Sequence, residues 1–164
     1  MSDDVHRDER NEYLTFTLAD EQYAVGVYDV KEVLEYTTVT RVPRTQDFMR
    51  GVINLRGSVV PVIDLRLKFG MEATERTIDT SIVVLEVELG GSVVTVGALA
   101  DSVQEVISLE PENIEPPPRI GTRINTDFIR GIGKQDEKFI IILDINRVFS
   151  EEELAAVAEE AEAR

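Results

Sequence analysis

The sequence predicts a mainly β protein built from two similar halves, each of them a small closed barrel. The first observation behind this prediction is an internal repeat. The motif Phe-x-Arg-Gly at 48–51 returns at 128–131, and Asp64 returns as Asp144, in both cases 80 positions later. The second is that each motif opens an apolar strand, a polar turn and a β-branched run, which is typical of a β-hairpin. The third is an apolar content of 43% in 164 residues, which is enough to fill a core.

The first half begins with a hairpin. Residues 1–12 are polar and are expected to form a disordered leader, so that order begins at Tyr13. Aromatic and β-branched residues at 13–18 and 23–27 flank a polar turn, which predicts two paired strands.

A short helix is expected after this hairpin. Val30, Val33 and Leu34 recur at helical spacing, and Asp29 stands where a helix cap belongs. The β-rich run at 37–42 then predicts a further strand.

The second half repeats this order. Strands are predicted at 82–89 and 93–97, around a Gly-Gly pair that suits a two-residue turn. The sequence Val-Gln-Glu-Val-Ile at 103–107 echoes Val-Lys-Glu-Val-Leu at 30–34. The repeat therefore covers whole halves, each with about five short strands and one short helix.

Four segments follow from this pattern. They are the disordered leader at 1–12, a first β-barrel half at 13–80, a second at 81–149 and an acidic C-terminal helix at 150–164. The helix is predicted by a serine followed three positions later by glutamate, which is a capping-box pattern. It either docks on a barrel or binds a partner. Exchange of strands between the halves is left open, because a repeat does not say where one barrel ends.

Charge and composition exclude several classes of function. The net charge of −15, from 32 acidic and 17 basic residues, argues against a nucleic-acid or anionic-membrane surface. With no cysteine and one histidine, His6, the chain has no material for a thiolate metal site or a catalytic triad. The acidic, lysine-poor surface is halophile-like and suits a salty cytoplasm, or serves ordinary solubility.

Location is expected to be cytoplasmic. The acidic N-terminus lacks the basic and apolar regions of a secretory signal, and no apolar run approaches the ~18 residues of a membrane span. Direct membrane insertion is therefore not expected.

Arg56 is the residue in which the two copies of the repeat differ most usefully. In the first copy the turn is Asn-Leu-Arg-Gly-Ser at 54–58, whereas its counterpart at 133–138 is predicted to be a longer polar loop. The fold therefore does not require an arginine at position 56, which makes Arg56 a candidate for binding. The alternative is that Arg56 is simply a solvated turn residue.

Asp64 and Asp144 occur in both copies, which favours a structural duty such as accepting backbone N–H bonds. The alternative is an acidic divalent-cation-binding or carboxylate-based enzyme domain, which would require these acids to converge at one site.

The run at 51–66 (GVINLRGSVVPVIDLR), preceded by Val-Pro at 42–43 and Val-Lys-Glu-Val at 30–33, resembles the CheW family of chemotaxis coupling proteins. The resemblance implies two packed SH3-like five-stranded β-barrels and no catalytic activity, cofactor or metal. It implies a scaffold that links the cytoplasmic tips of chemoreceptors to the histidine kinase CheA, recruited to receptor arrays at the inner face of the membrane.

The resemblance also implies site residues. A receptor-binding role falls on Val30 and Arg56, with Gly51 supporting the setting of the turn, and a kinase-binding role on Glu32 and Val33. For both valines, plain core packing is the alternative.

Overall fold

The computed structural model describes residues 11–117 and 125–149, which form eleven strands and two one-turn helices. The strands are β1 (Glu12–Leu18), β2 (Glu21–Gly26), β3 (Val30–Glu35), β4 (Met49–Leu55), β5 (Ser58–Asp64), β6 (Ser81–Leu89), β7 (Ser92–Ala100), β8 (Ser102–Ser108), β9 (Ile114–Glu115), β10 (Ile129–Gln135) and β11 (Lys138–Leu143). The helices are α1 (Leu65–Lys68) and α2 (Ile145–Val148). Within the two described ranges, no helix has the length and hydropathy needed to cross a membrane.

The strands form two sheets, ordered β8-β1-β2-β11-β10-β9 and β3-β6-β7-β5-β4. The N-terminal hairpin β1–β2 therefore belongs with the strands after residue 101, and the hairpin β6–β7 belongs with β3–β5. The chain changes sheets at Val27–Asp29 and again at Asp101. A boundary at residue 80 thus divides the sequence repeats, whereas the sheets divide the chain into a continuous inner stretch and two flanking stretches.

Each sheet is closed where a motif glycine allows a second backbone to approach. Thr40 and Val52 exchange two backbone hydrogen bonds of 2.8 Å, which joins the segment after β3 to β4. A Cβ on the neighbouring Gly51 would lie 2.1 Å from the Thr40 carbonyl oxygen. In the other sheet β9 pairs with β10, and a Cβ on Gly131 would lie 2.9 Å from the Glu115 carbonyl oxygen.

The repeat occupies equivalent places in the two sheets. Gly51 and Gly131 each follow a β-bulge, in β4 and β10. The Asp64 N–H donates to the Phe48 carbonyl over 2.7 Å, and the Asp144 N–H donates to Phe128 over 2.8 Å. The prediction of a structural duplication is therefore confirmed.

The helix expected after Asp29 is not formed. Val27–Asp29 is a single 3-10 turn and residues 30–35 are strand β3, in which partly buried and exposed residues alternate. The segment adopts the two-residue period of a strand, and not the 3.6-residue period of a helix, because as β3 it pairs with β6. The same correction applies to its echo, since Ser102–Ser108 is strand β8 paired with β1.

Two boundaries also differ from the sequence prediction. The run at 37–42 makes one isolated bridge, at Thr40, and no strand. The leader ends earlier than expected, because Glu12 starts β1 and the Asn11 carbonyl accepts a 2.9 Å bond from the Leu109 N–H. The rest of the leader, residues 1–10, and the helix predicted at 150–164 lie outside the described residues.

Three apolar clusters make up the core of the described chain. Two fill the barrel interiors and the largest lies between the barrels. Strand β6 serves two of them, because Ile82 and Val84 point into one barrel while Val83 and Leu85 join the central cluster. Burial of both faces explains why this strand reads as an unbroken apolar run.

Candidate partner-binding site

Edge strand β3 carries three of the predicted site residues. The Val30 side chain is partly buried and packs against the central cluster. The Glu32 side chain is 25% exposed, and Val33 is 42% exposed. Core packing therefore accounts for part of Val30, but it does not account for Val33.

Arg56 stands at the tip of the β4–β5 hairpin. Leu55 pairs with Ser58, so Arg56 and Gly57 are the two turn residues, with φ values of +50° and +91°. The Gly57 N–H donates to the Asn54 side-chain oxygen over 2.8 Å. Positive φ at both positions defines a type I′ turn, in which Asn, Asp or Gly is favoured at the first position. The turn itself therefore does not call for an arginine.

The equivalent hairpin in the second barrel has the same turn length. Gln135 pairs with Lys138 across a two-residue turn, in which Asp136 has φ +56°. The expected longer loop is wrong, because the glycine and polar residues at 133–135 continue the strand through backbone pairing. Asp136 is thus the counterpart of Arg56, and the copies differ at this position in charge rather than in turn length.

Arg56 forks onto Glu32. Its Nη1 lies 3.4 Å from Glu32 Oε1, and its Nη2 bonds Oε2. This hydrogen bond raises the pKa of Arg56, and the charge of Glu32 adds to the increase. The counterparts in the second barrel, Glu105 and Asp136, are both acidic and cannot make such a pair. The fold brings together one residue predicted for the receptor and one predicted for the kinase.

Gly51 contributes differently. It is buried in β4 at φ +146°, against the Thr40 backbone that closes the barrel. It lies in β4, the strand that leads to the Arg56 turn.

Tyr28 and Arg130 are two residues beside the site that sequence reasoning missed. Tyr28 lies in the 3-10 turn directly before β3 and is 43% exposed. Arg130 Nη1 donates a 2.8 Å hydrogen bond to the Tyr28 hydroxyl, and its guanidinium carbon lies 6.0 Å from the ring centroid. Arg130 could have been found from its position in the repeated Phe-x-Arg-Gly motif. Its counterpart there, Arg50, bonds the buried carboxylate of Asp64.

Asp29→Asn is expected to raise the free energy of unfolding at pH 7. Burial raises the pKa of Asp29 above the ordinary 3.8, the Arg130 guanidinium opposes this shift, and Asp144 adds to it. Because the folded-state pKa is the higher one, the penalty for ionised Asp29 is absent below pH 3.8 and grows as the pH rises through the folded pKa. Urea unfolding at pH 7 and pH 3.5 measures the effect, and an equal gain at both would contradict it.

The two repeated aspartates do not form a joint site. Asp64 is fully buried and accepts five hydrogen bonds of 2.8–3.4 Å, including those from Arg50 and Thr74. Asp144 is 26% exposed, accepts no side-chain capping bond and pairs with Arg147 at 3.6 Å. The backbone-accepting duty expected of both is met at Asp64 alone. Among the described residues, no three acidic or histidine side chains cluster as a metal site would require.

Comparison with known proteins identifies the family of this chain. The CheW-like domain family matches residues 12–153. Chemotaxis protein CheW of Klebsiella aerogenes is 40% identical over 146 residues, which cover 89% of this chain and 86% of that protein. Chemotaxis protein CheW of Bacillus subtilis is 34% identical over 140 residues, covering 85% and 86%.

A solved structure extends the likeness to the fold. The scaffolding protein TtCheW from Thermoanaerobacter tengcongensis superposes with a TM-score of 0.78 at 37% identity, covering 90% of this chain and 93% of that one. The predicted mainly β class with two SH3-like barrels is confirmed, and nothing supports the carboxylate-based enzyme. The chain belongs to the CheW family of non-enzymatic scaffold proteins in chemotaxis signalling.

Proposed function

We propose that this protein couples the cytoplasmic tips of chemoreceptors to the histidine kinase CheA, and that the Arg56–Glu32 pair lies where the two binding surfaces meet. The observation that carries this proposal is the fork between the hairpin tip and edge strand β3. Coupling of receptors to the kinase takes place in the cytoplasm, where the protein is recruited to receptor arrays at the inner face of the membrane.

The receptor side consists of Arg56 and Val30, supported by Gly51. The Arg56 side chain is 66% exposed although it is ion-paired, so donors remain available to a partner. A guanidinium suits the carboxylates and helix-end carbonyls of a receptor helix, and Val30 supplies apolar contact. Glu32 holds the guanidinium in one orientation before binding, which reduces the entropy that binding costs.

The kinase side consists of Glu32 and Val33. Both lie on β3, an edge strand of its sheet. Val33 offers an exposed apolar side chain, and Glu32 offers a carboxylate that is 25% exposed. Because side chains of neighbouring strand residues point to opposite faces, a kinase segment that contacts both residues must approach along the edge of β3.

Arg56→Asn tests the receptor assignment, because asparagine keeps the left-handed turn and removes the guanidinium. Affinity for a receptor cytoplasmic fragment is expected to fall roughly ten- to hundredfold, as the loss of charge-assisted hydrogen bonds implies. Affinity for CheA is expected to change less than about threefold, and the melting temperature by less than about 3 °C. Titration calorimetry with each partner and a melting curve supply the measurements.

Asp136→Asn is the matched control, since it changes the same turn position in the second barrel. It should leave receptor affinity unaltered. Equal weakening of both partners by Arg56→Asn at an unchanged melting temperature would overturn the assignment of Arg56 to the receptor. A large fall in melting temperature would mean that Arg56 supports the fold. Failure of the wild-type protein to bind either partner would overturn the proposed function itself.

A further inference from the structure

We infer that Arg130 is a positioning residue through which the second barrel sets the start of β3, and with it the partner-binding surface of the first barrel. This inference rests on the proposed function for its consequence, but its geometry stands independently of that function.

Arg130 does not make the hydrogen bonds that Arg50, its counterpart in the repeat, makes. Arg50 donates to the buried carboxylate of Asp64 over 3.0 Å and to the Thr74 carbonyl over 3.1 Å, within its own sheet and the loop beside it. Arg130 instead donates to Tyr28, 102 positions away in sequence. Asp144, which would be its partner by the repeat, forms its ion pair with Arg147 and acts on Arg130 through its charge. Arg130 thus contacts the passage that leads from one sheet to the other.

Tyr28 is well placed to transmit such a contact. It lies in the 3-10 turn Val27–Asp29, where the chain passes from one sheet to the other. Its ring packs so closely on Gly26 that a Cβ there would lie 2.7 Å from Tyr28 Cε1. The ring is therefore held by the end of β2 on one side and by Arg130 at the hydroxyl.

The held turn leads directly into the candidate site. Val30 is the first residue of β3 and follows Tyr28 by two positions, and Glu32 follows by four. Asp29, between Tyr28 and Val30, also feels the Arg130 charge, which lowers its pKa against the effect of burial. Loss of Arg130 therefore loosens the turn and leaves a half-buried carboxyl without its compensating cation.

The other passage between the sheets is held in a similar way. Asp101 accepts a 2.8 Å bond from the Ala19 N–H and pairs with Arg66 at 3.2 Å. The passage before β3 differs because its holding arginine is exposed on β10 and its tyrosine is 43% exposed. This contact can be altered without opening the core.

The experiment compares Arg130→Ala, Arg130→Lys, Tyr28→Phe and the double variant Tyr28→Phe/Arg130→Ala with the wild type. Lys134→Ala is the matched control, because Lys134 is a charged residue of the same strand whose ion pair is with Glu115. Three quantities are measured: amide hydrogen exchange across 27–35, affinity for a receptor cytoplasmic fragment, and melting temperature.

Arg130→Ala and Tyr28→Phe are each expected to speed exchange at 27–35 several-fold and to weaken receptor binding about threefold to tenfold. The double variant should be no weaker than Arg130→Ala, because both substitutions break one bridge. Arg130→Lys should restore most of the loss, Lys134→Ala should match the wild type, and no melting temperature should fall by more than about 3 °C.

Unchanged exchange at 27–35 in Arg130→Ala would overturn the inference, whatever the binding result. Faster exchange throughout the chain with a lower melting temperature would also overturn it, because Arg130 would then be a general stabiliser. If the wild type binds the receptor fragment and Arg130→Ala binds it equally well, the inference fails while the proposed function stands. If the wild type does not bind, the proposed function fails and hydrogen exchange still decides the positioning role.

Discussion

Asp64→Asn is expected to lower the free energy of unfolding by about 3–5 kcal/mol. The carboxylate is fully buried and meets only donors: Arg50 Nη1 at 3.0 Å, the Thr74 N–H and hydroxyl at 2.9 and 2.8 Å, and the first amides of α1. The NH₂ group of an asparagine is itself a donor and could not accept the hydrogen bonds of the donors around it. The Arg50 charge would also lose its partner. Urea unfolding at neutral pH measures the loss.

Asp144→Asn is the control for this prediction, since it occupies the repeat-equivalent position. Its carboxylate is 26% exposed, and the nearest cation, on Arg147, lies 3.6 Å away. An exposed pair of this kind contributes little, so the expected change is within about 0.5 kcal/mol. Losses of similar size at the two positions would show that burial and donor number are not what make Asp64 structural.

Gly51→Ala is expected to cost about 3 kcal/mol or more and to open the barrel at its closure. The new Cβ would lie 2.1 Å from the Thr40 carbonyl oxygen and 2.7 Å from its carbon, both of them backbone atoms. No side-chain rotation relieves such a clash. The two 2.8 Å hydrogen bonds between Thr40 and Val52 must therefore lengthen or break. Thermal melting combined with hydrogen exchange at Val52 measures both effects.

Gly57→Ala separates backbone strain from collision. Gly57 also has positive φ, at +91°, but nothing lies within 4 Å of a Cβ built there. Strain alone predicts a loss of roughly 1–2 kcal/mol with the barrel still closed. A loss at Gly57 as large as at Gly51 would mean that the close approach of Thr40 is not the reason for a glycine in the motif.

The parts of the fold that the sequence predicts well are those set by local pattern. The hairpins β1–β2 and β6–β7 follow from alternation and turn residues close together in the chain. The internal repeat added a second, independent reading of each strand. It correctly equated Gly51 with Gly131 and Asp64 with Asp144.

The predictions that failed depend on partners far away in sequence. Residues 30–35 fit a helical period and a strand period almost equally well over so short a length. Pairing with β6, about fifty residues later, decides between them. The turn at Asp136 was misjudged because backbone pairing, which side-chain type does not reveal, extends β10 to Gln135.

The site shows the same division. The difference between the two turns was enough to single out Arg56, although the stated reason, a longer second loop, was wrong. Its pairing with Glu32 and the bridge from Arg130 to Tyr28 join residues 24 and 102 positions apart, and no local pattern encodes them. The assignment of residues to receptor or kinase came from family resemblance and stays a prediction.

The two passages between the sheets have a mechanical consequence. The strands from β3 to β7 are one continuous stretch, tied to the rest of the described strands at Val27–Asp29 and at Asp101. Two attachment points define a line. A rigid-body movement of one barrel that leaves both attachments intact is therefore a rotation about that line. The contacts of Arg130 with Tyr28 and of Arg66 with Asp101 lie at those attachments and would change least. The apolar side chains of the central cluster lie between the barrels and would resist the rotation.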